Sequence, residues 1–318
     1  MSNILCVSHL QDVDGLVCAA LFRMAKNAQY SLVDYSDLLI ETKSITENVD
    51  ELYICDLSLE TPVVNELGRI SKFSRVIYID HHPMRGEVLQ ALRASGVKIL
   101  HSTEMCAGAL AYRLLRRELP EDARVLAAYA TLSDYPSADQ GFAFTDRFEP
   151  QMVAFESTLL SYSVARACDD IKFKNKVVEG LSQLKYPHNI EGVVSLAMQQ
   201  LQYVIDLIKN TGETVCYSRH VAYVEVSGST GVVANVLVHA VEKPIVVCYR
   251  GYRDGASQYL SVRTKNSRYD LGALTSRIAG KLGGSGGGHP LAAGAQIPKE
   301  NLSRFIELMD RAIEGTAQ

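Results

Sequence analysis

The sequence predicts an α/β protein: an N-terminal, mainly parallel sheet flanked by helices, then a helical connection, then a smaller C-terminal α/β domain. Two observations carry this expectation. The short apolar runs Ile4–Val7, Leu52–Cys55 and Val76–Ile79 alternate with helical patterns, as strands covered on both faces require. Beyond residue 213, strand and helix signals alternate again on a smaller scale. A chain of 318 residues has room for two domains and can bury roughly 75% of its extended surface.

Taken in order, Ile4–Val7 is followed by a helical pattern from Gly15 to about Asn27. Leu52–Cys55 precedes a helix over 61–71, and Val76–Ile79 forms the third strand. An apolar helical pattern covers 123–132 and closes on Ser133-Asp134. Residues 150–210 carry few strand signals; Glu149-Pro150 and Tyr186-Pro187 punctuate them, and 191–209 reads as helix. The domains expected are 1–190, a helical linker over 191–212, and 213–318. The last contains strands over 215–226, 244–249 and 258–263 and helices over 231–241, 270–282 and 300–313.

Composition excludes several classes. With 47% apolar and 21% charged residues there is no disordered or collagenous bias. No apolar stretch approaches the roughly 18 residues of a membrane helix. The start Met1-Ser2-Asn3 lacks a basic region, and Ile4–Val7 is too short for a signal core. The 7 cysteines are scattered without a C-x-x-C pair, against a disulfide framework or a thiolate zinc site. Cys6, Cys55 and Cys248 lie in apolar runs and are expected in the core. A cytoplasmic location is expected. The net charge of −4 divides unevenly: from residue 213 onward 12 Lys+Arg stand against 9 Asp+Glu, leaving 20 against 27 before it. An acidic half and a mildly basic half suit a metal-bearing lobe and a phosphate-holding lobe.

Each apolar run ends in chemically capable residues: Ser8-His9, Asp56 and Asp80-His81-His82. In open α/β sheets the ligand crevice lies beyond the carboxyl ends of the strands, so one shared site is expected. Asp12 and Asp14, with Gly15 permitting a tight turn, can present carboxylates to two cations; in isolation either is equally a helix cap. Asp56 alone would be a turn residue, and Asp134 alone a helix-end polar group. Adjacent histidines on an extended segment point to opposite sides, so one of His81 and His82 would ligate while the other faces substrate. In the second domain Gly286, Gly287 and Gly288 can bring backbone amides to an anion, with His289 beside them. His101, His188, His220 and His239 read as surface or packing residues, and Asp169-Asp170 as a solvated pair.

The ordered set His9-x-x-Asp12-x-Asp14-Gly15, Asp56, Asp80-His81-His82 and Asp134 resembles the four motifs of the DHH phosphoesterase superfamily. The run from Gly283 to Gly294, containing Gly-Gly-Gly-His-Pro-Leu-Ala-Ala-Gly, resembles the glycine-rich signature of its DHH-associated domain. The resemblance covers nearly the whole chain, most weakly across 150–210. That family includes RecJ-type nucleases, oligoribonucleases acting on nano-RNA, cyclic-di-AMP phosphodiesterases and, in a related branch, inorganic pyrophosphatases. Carried over by position, it implies His9, Asp12 and Asp56 around one metal and Asp14, Asp56, His81 and Asp134 around the other. His82 would face the scissile phosphate, Asp80 would orient the histidines, and Arg263 would grip substrate phosphate. One departure stands out: two residues separate His9 from Asp12, where relatives have one or three.

The donor set suits two divalent ions, manganese first and magnesium second, activating a water for in-line attack on phosphorus. The resemblance and the compact basic patch imply hydrolysis of short oligonucleotides or of linear or cyclic dinucleotides to nucleoside monophosphates. A RecJ-like single-strand exonuclease, a pAp-type phosphatase and a catalytically silent scaffold are the alternatives. Partners expected are a short oligonucleotide or dinucleotide and no membrane, with a homodimer left open.

Overall fold

The computed structural model describes residues 3–134, 148–252 and 254–316; Met1 and Ser2 lie outside them. The chain divides into two units, Met1–Met198 and Gln199–Gln318.

In the first unit β1 (Ile4–His9), β2 (Gln29–Val33), β3 (Glu51–Cys55), β4 (Arg75–Asp80) and β5 (Lys98–His101) form one sheet in the order β2-β1-β3-β4-β5. Every neighbouring pair is parallel. The helices are α1 (Val13–Lys26), α2 (Leu38–Ser44), α3 (Thr61–Ile70), α4 (Gly86–Ala94), α5 (Ala107–Leu115), α6 (Arg124–Asp134), α7 (Pro150–Ala167) and α8 (Ile171–Ser182). Alternate strand residues serve opposite layers. Cys6, Tyr53, Cys55, Ile77 and Ile79 pack with α1 and α5 to α8, whereas Val7, Leu52, Ile54, Val76 and Tyr78 pack with α2, α3 and α4. Two covered faces explain why the three central strands read as unbroken apolar runs. The edge strands β2 and β5 are half exposed and carry no such run, so sequence patterning missed them.

Helix α9 (Val193–Lys209) runs across the division between the units, followed by the short α10 (Thr211–Thr214). The second unit holds β6 (Cys216–Tyr217), β7 (Val221–Glu225), β8 (Ile245–Gly251), β9 (Ser257–Arg263), β10 (Ser285–His289) and β11 (Ala292–Pro298). Their order is β10-β11-β9-β8-β7-β6, antiparallel except between β7 and β8. Helices α12 (Leu271–Lys281) and α13 (Leu302–Thr316) share one apolar cluster, and α11 (Thr230–Ala240) joins the end of α9 in another.

Two expectations need correction here. The strand read over 215–226 is two strands, because the chain reverses at Ser218, whose N–H donates to the Val221 carbonyl at 2.8 Å. The glycine-rich run from Gly283, whose composition reads as a loop, is largely strand β10, paired residue for residue with β11. Two of its glycines serve close packing, since a Cβ on Gly284 would stand 2.2 Å from the Gln296 carbonyl oxygen and one on Gly288 2.5 Å from that of Ala292. Gly272 of α12 in turn approaches β10, where a Cβ would lie 2.2 Å from the Gly288 carbonyl oxygen. Cys6, Cys55 and Cys248 are fully buried. Among the described residues no helix is long and apolar enough to cross a membrane.

Candidate functional site

His9 ends β1, Asp56 follows β3 and Asp80 ends β4, so three adjacent strands deliver their polar ends to one sheet edge. Neighbouring strands lie roughly 4.8 Å apart, which brings such side chains into mutual reach. Helices α1 and α6 add Asp12, Asp14 and Asp134. Three overlapping groups result, each with candidate ligand atoms within 4.8 Å of one another: His9-Asp12-Asp56, Asp14-His81-Asp134, and Asp56-Asp80-His81-His82.

His9 Nδ1 lies 2.8 Å from Asp12 Oδ2 and 3.5 Å from Asp56 Oδ2. The other Asp12 oxygen accepts from the Gly15 N–H at 3.1 Å, so Asp12 caps α1 and faces His9 at once. Gly15 is needed for close approach and not for an unusual turn: a Cβ there would sit 2.1 Å from the His9 carbonyl oxygen. Asp56 has φ of 59°, the left-handed region that Asp tolerates better than most residues. That backbone swings its carboxylate between two imidazoles, with Oδ1 3.3 Å from His81 Nε2. His9 Nε2 and Asp56 Oδ2 are buried without a hydrogen-bond partner. Such atoms are costly unless a ligand meets them, and a divalent cation fits this donor set.

Asp14 is 1% exposed, and its two oxygens accept from the N–H groups of Ala107 and Gly108 at 2.8 and 2.6 Å. The start of α5 thus clamps this carboxylate through backbone amides and the helix dipole. Gly108 is required, since a Cβ would lie 2.8 Å from Asp14 Oδ1 and equally near Ala130 Cβ. Sequence reading missed this clamp, which depends on a helix 93 residues downstream. His81 Nε2 is 3.9 Å from Asp14 Oδ2, and its Nδ1 is 3.5 Å from Asp134 Oδ2.

His82 does not point away from His81, as an extended segment would make it. The strand ends at Asp80, and the two rings stand 4.4 Å apart. His82 Nδ1 meets Asp80 Oδ1 at 2.8 Å, while Asp80 Oδ2 lies 2.6 Å from the Tyr78 hydroxyl. His101 supports this turn through its Nε2, 2.7 Å from the His82 carbonyl oxygen. Tyr78, Tyr35 and His101 carried no motif signal; tertiary packing alone brings them to the site.

The electrostatics describe a site overloaded with carboxylates. Burial and the nearby Asp12 and Asp14 charges push Asp56 up to about 7, against the pull of His81 and His9. Partial burial, with the side chain still 30% exposed, and the Asp14 and Asp12 charges push Asp134 up to about 7 against the pull of His81. Burial opposes the charged form of His81, yet Asp56, Asp134 and Asp14 raise it to about 12. Asp80 is lowered: burial disfavours its charge, but the His82 imidazole and the Tyr78 hydroxyl outweigh that. Protons here occupy positions that a cation would take over.

In the second unit Arg263 ends β9. Its Nε donates to Asn235 Oδ1 at 2.5 Å and its Nη1 to the Val262 and Ala293 carbonyls at 3.0 and 3.3 Å. Arg263 pairs with Ala292 across the sheet, and Ala292 with His289. Residues in one antiparallel rung share a face, so Arg263 and His289 flank the small Ala292 on the same side. The first turn of α11 reaches the guanidinium: a Cβ on Gly231 would lie 3.4 Å from Arg263 Nη2. Asn235 and Gly231 were not singled out from sequence. Gly286, Gly287 and Gly288 lie on β10, the edge strand beside them.

A parallel sheet with imidazoles and carboxylates at its strand ends, followed by a mixed-sheet unit, defines a two-unit α/β protein with a candidate cation centre. Residues 215–315 match the DHHA1 domain family. An uncharacterized protein of Methanocaldococcus jannaschii is 30% identical over 90 residues, 27% of this chain and 19% of that one. The chain therefore matches less than a fifth of that curated relative's length. Three solved structures share the fold. A DHH domain described as a member of the s1p family of ribosomal proteins has a TM-score of 0.72 at 14% identity, over 98% of this chain and 86% of that one. Manganese-bound RecJ of Thermus thermophilus gives 0.69 at 16%, over 98% and 52%. The pGpG-specific phosphodiesterase PggH of Vibrio cholerae gives 0.58 at 13%, over 99% and 100%. Residues 215–315 thus carry the likeness to the DHHA1 domain, and the fold of the chain as a whole is shared with these three solved structures.

Proposed function

We propose that the chain is a metal-dependent phosphodiesterase that hydrolyses short oligonucleotides or linear or cyclic dinucleotides to nucleoside monophosphates. The observation that carries this reading is Asp56, set between the groups His9-Asp12 and Asp14-His81-Asp134, with its Oδ2 buried, 3.5 Å from His9 Nδ1 and without a hydrogen bond. These residues would hold two divalent ions, manganese or magnesium, with Asp56 bridging. Bound there, the ions would offset charge on phosphoryl oxygens and acidify a water. His82, held by Asp80, would face the phosphate undergoing cleavage. Arg263, His289 and the β10 glycines are assigned to substrate phosphate. A phosphate gains from a guanidinium beside a helix start, as Arg263 lies beside α11. Support also comes from the likeness in fold to a pGpG-specific phosphodiesterase and to a manganese-bound RecJ.

Purified protein with manganese should release mononucleotides from pGpG, pentanucleotides or a cyclic dinucleotide, and Asp56→Ala should abolish that release. No product from any of these would sink the proposal. Faster turnover of 20-mers than of dimers, with steep salt dependence, would favour a single-strand exonuclease instead.

A further inference from the structure

Tyr35 follows β2 and stands between two imidazoles of the site. Its ring centroid is 4.8 Å from that of His9, and its hydroxyl is 3.4 Å from His82 Nε2, with the rings nearly perpendicular at 88°. The backbone beneath it is pinned. The Tyr35 N–H donates to Asp34 Oδ1 at 2.8 Å, and Asp34 Oδ2 accepts from Gln11 Nε2 at 3.1 Å in the loop between His9 and Asp12. The Leu10 N–H closes the same junction on the Val33 carbonyl at 3.0 Å. His82 is fixed on its other sides by Asp80 at Nδ1 and by His101 at its carbonyl, so its Nε2 edge is the one turned to Tyr35. Because the Asp80 carboxylate can only accept, Nδ1 carries a proton. Nε2 then accepts from the Tyr35 hydroxyl in the neutral ring and donates to the same oxygen in the cation.

We infer that Tyr35 is a positioning residue for His82: its hydroxyl, held against Nε2, sets the orientation of the imidazole ring presented to the phosphate undergoing cleavage. This rests on the phosphodiesterase reading above. Tyr35→Phe keeps the ring against His9 and removes only the hydroxyl, whereas Tyr35→Ala removes both. With manganese-loaded protein and pGpG, Tyr35→Phe should lower kcat by about tenfold, the size of one lost hydrogen bond. KM and the number of bound ions should stay as in the wild type. In nitrogen-15 spectra of imidazole-labelled protein, the His82 Nε2 resonance should move while Nδ1 does not. Unchanged kcat or an unmoved resonance in Tyr35→Phe overturns the inference. So does a change confined to the KM of Tyr35→Ala, which would assign the ring to substrate binding. If the wild type cleaves no substrate, the proposed function fails and the resonance alone decides the role of Tyr35.

Discussion

At the scale of single residues, the site works by holding side chains that water would otherwise solvate. Asp80 shows how. It is 1% exposed, takes its partners from His82 and Tyr78, and is held in its charged form below the ordinary carboxylate value. Partners of this kind fix a histidine's tautomer, and their loss costs on the order of 10- to 100-fold in activity. Asp80→Asn should therefore lower kcat on pGpG by about that factor while leaving the count of bound manganese intact, as steady-state kinetics and metal titration will show. Equal kcat in the variant would remove Asp80 from the positioning of His82. The strand-end histidines and aspartates of the centre were legible in sequence, because a polar residue closing an apolar run is visible without any fold. Gly108, Tyr35 and His101 were not, since what matters about each is a neighbour many residues away. The geometry of His82 was misjudged for a related reason: alternation applies inside a strand, and β4 stops at Asp80.

At the scale of elements, buried centres advertise themselves and edges do not. β1, β3 and β4 were readable because both faces are covered, whereas β2 and β5 mix polar and apolar residues at the rim. The glycine segment was the hardest, because glycine signals a loop by composition while here it lets α12 approach β10. That approach makes a sharp prediction. The Cβ of Gly272→Ala would collide with the Gly288 carbonyl oxygen, which is backbone and cannot rotate aside. Separating α12 from β10 should cost about 1–3 kcal/mol, as overpacked cores do, and should shift His289, which closes the same strand. Urea denaturation should show the loss, and affinity for a nucleoside monophosphate should fall with it. A variant as stable as the wild type would mean that the hairpin, and not the helix contact, sets the position of β10.

At the scale of the molecule, charge is divided as the chain is. Counted on the observed division, residues 199–318 hold 13 Lys+Arg against 10 Asp+Glu, and residues 1–198 hold 19 against 26. The acidic excess thus lies in the unit that gathers carboxylates, and the consequence appears in how stability depends on pH. Asp56 and Asp134 rise from an ordinary 3.8 to about 7 in the fold. Between those values the folded chain binds protons that the unfolded chain has released, so stability falls as pH rises. His81 and His9 act in the same sense higher up. Both are raised from 6.5, so the stability they lend is complete below that value and is lost as pH climbs toward their folded values. Asp12 and Asp80 are lowered, and their contribution is lost only in stronger acid, below 3.8. Chelator-treated protein should therefore melt at a lower temperature at about pH 8.5 than at about pH 5.5. A divalent cation takes the place of those protons, so manganese should raise the melting temperature at both and by more in the alkaline sample. A chelated protein whose melting temperature climbs over this range would show that the carboxylates do not repel one another as their distances require, and with that the case for a cation among them would go.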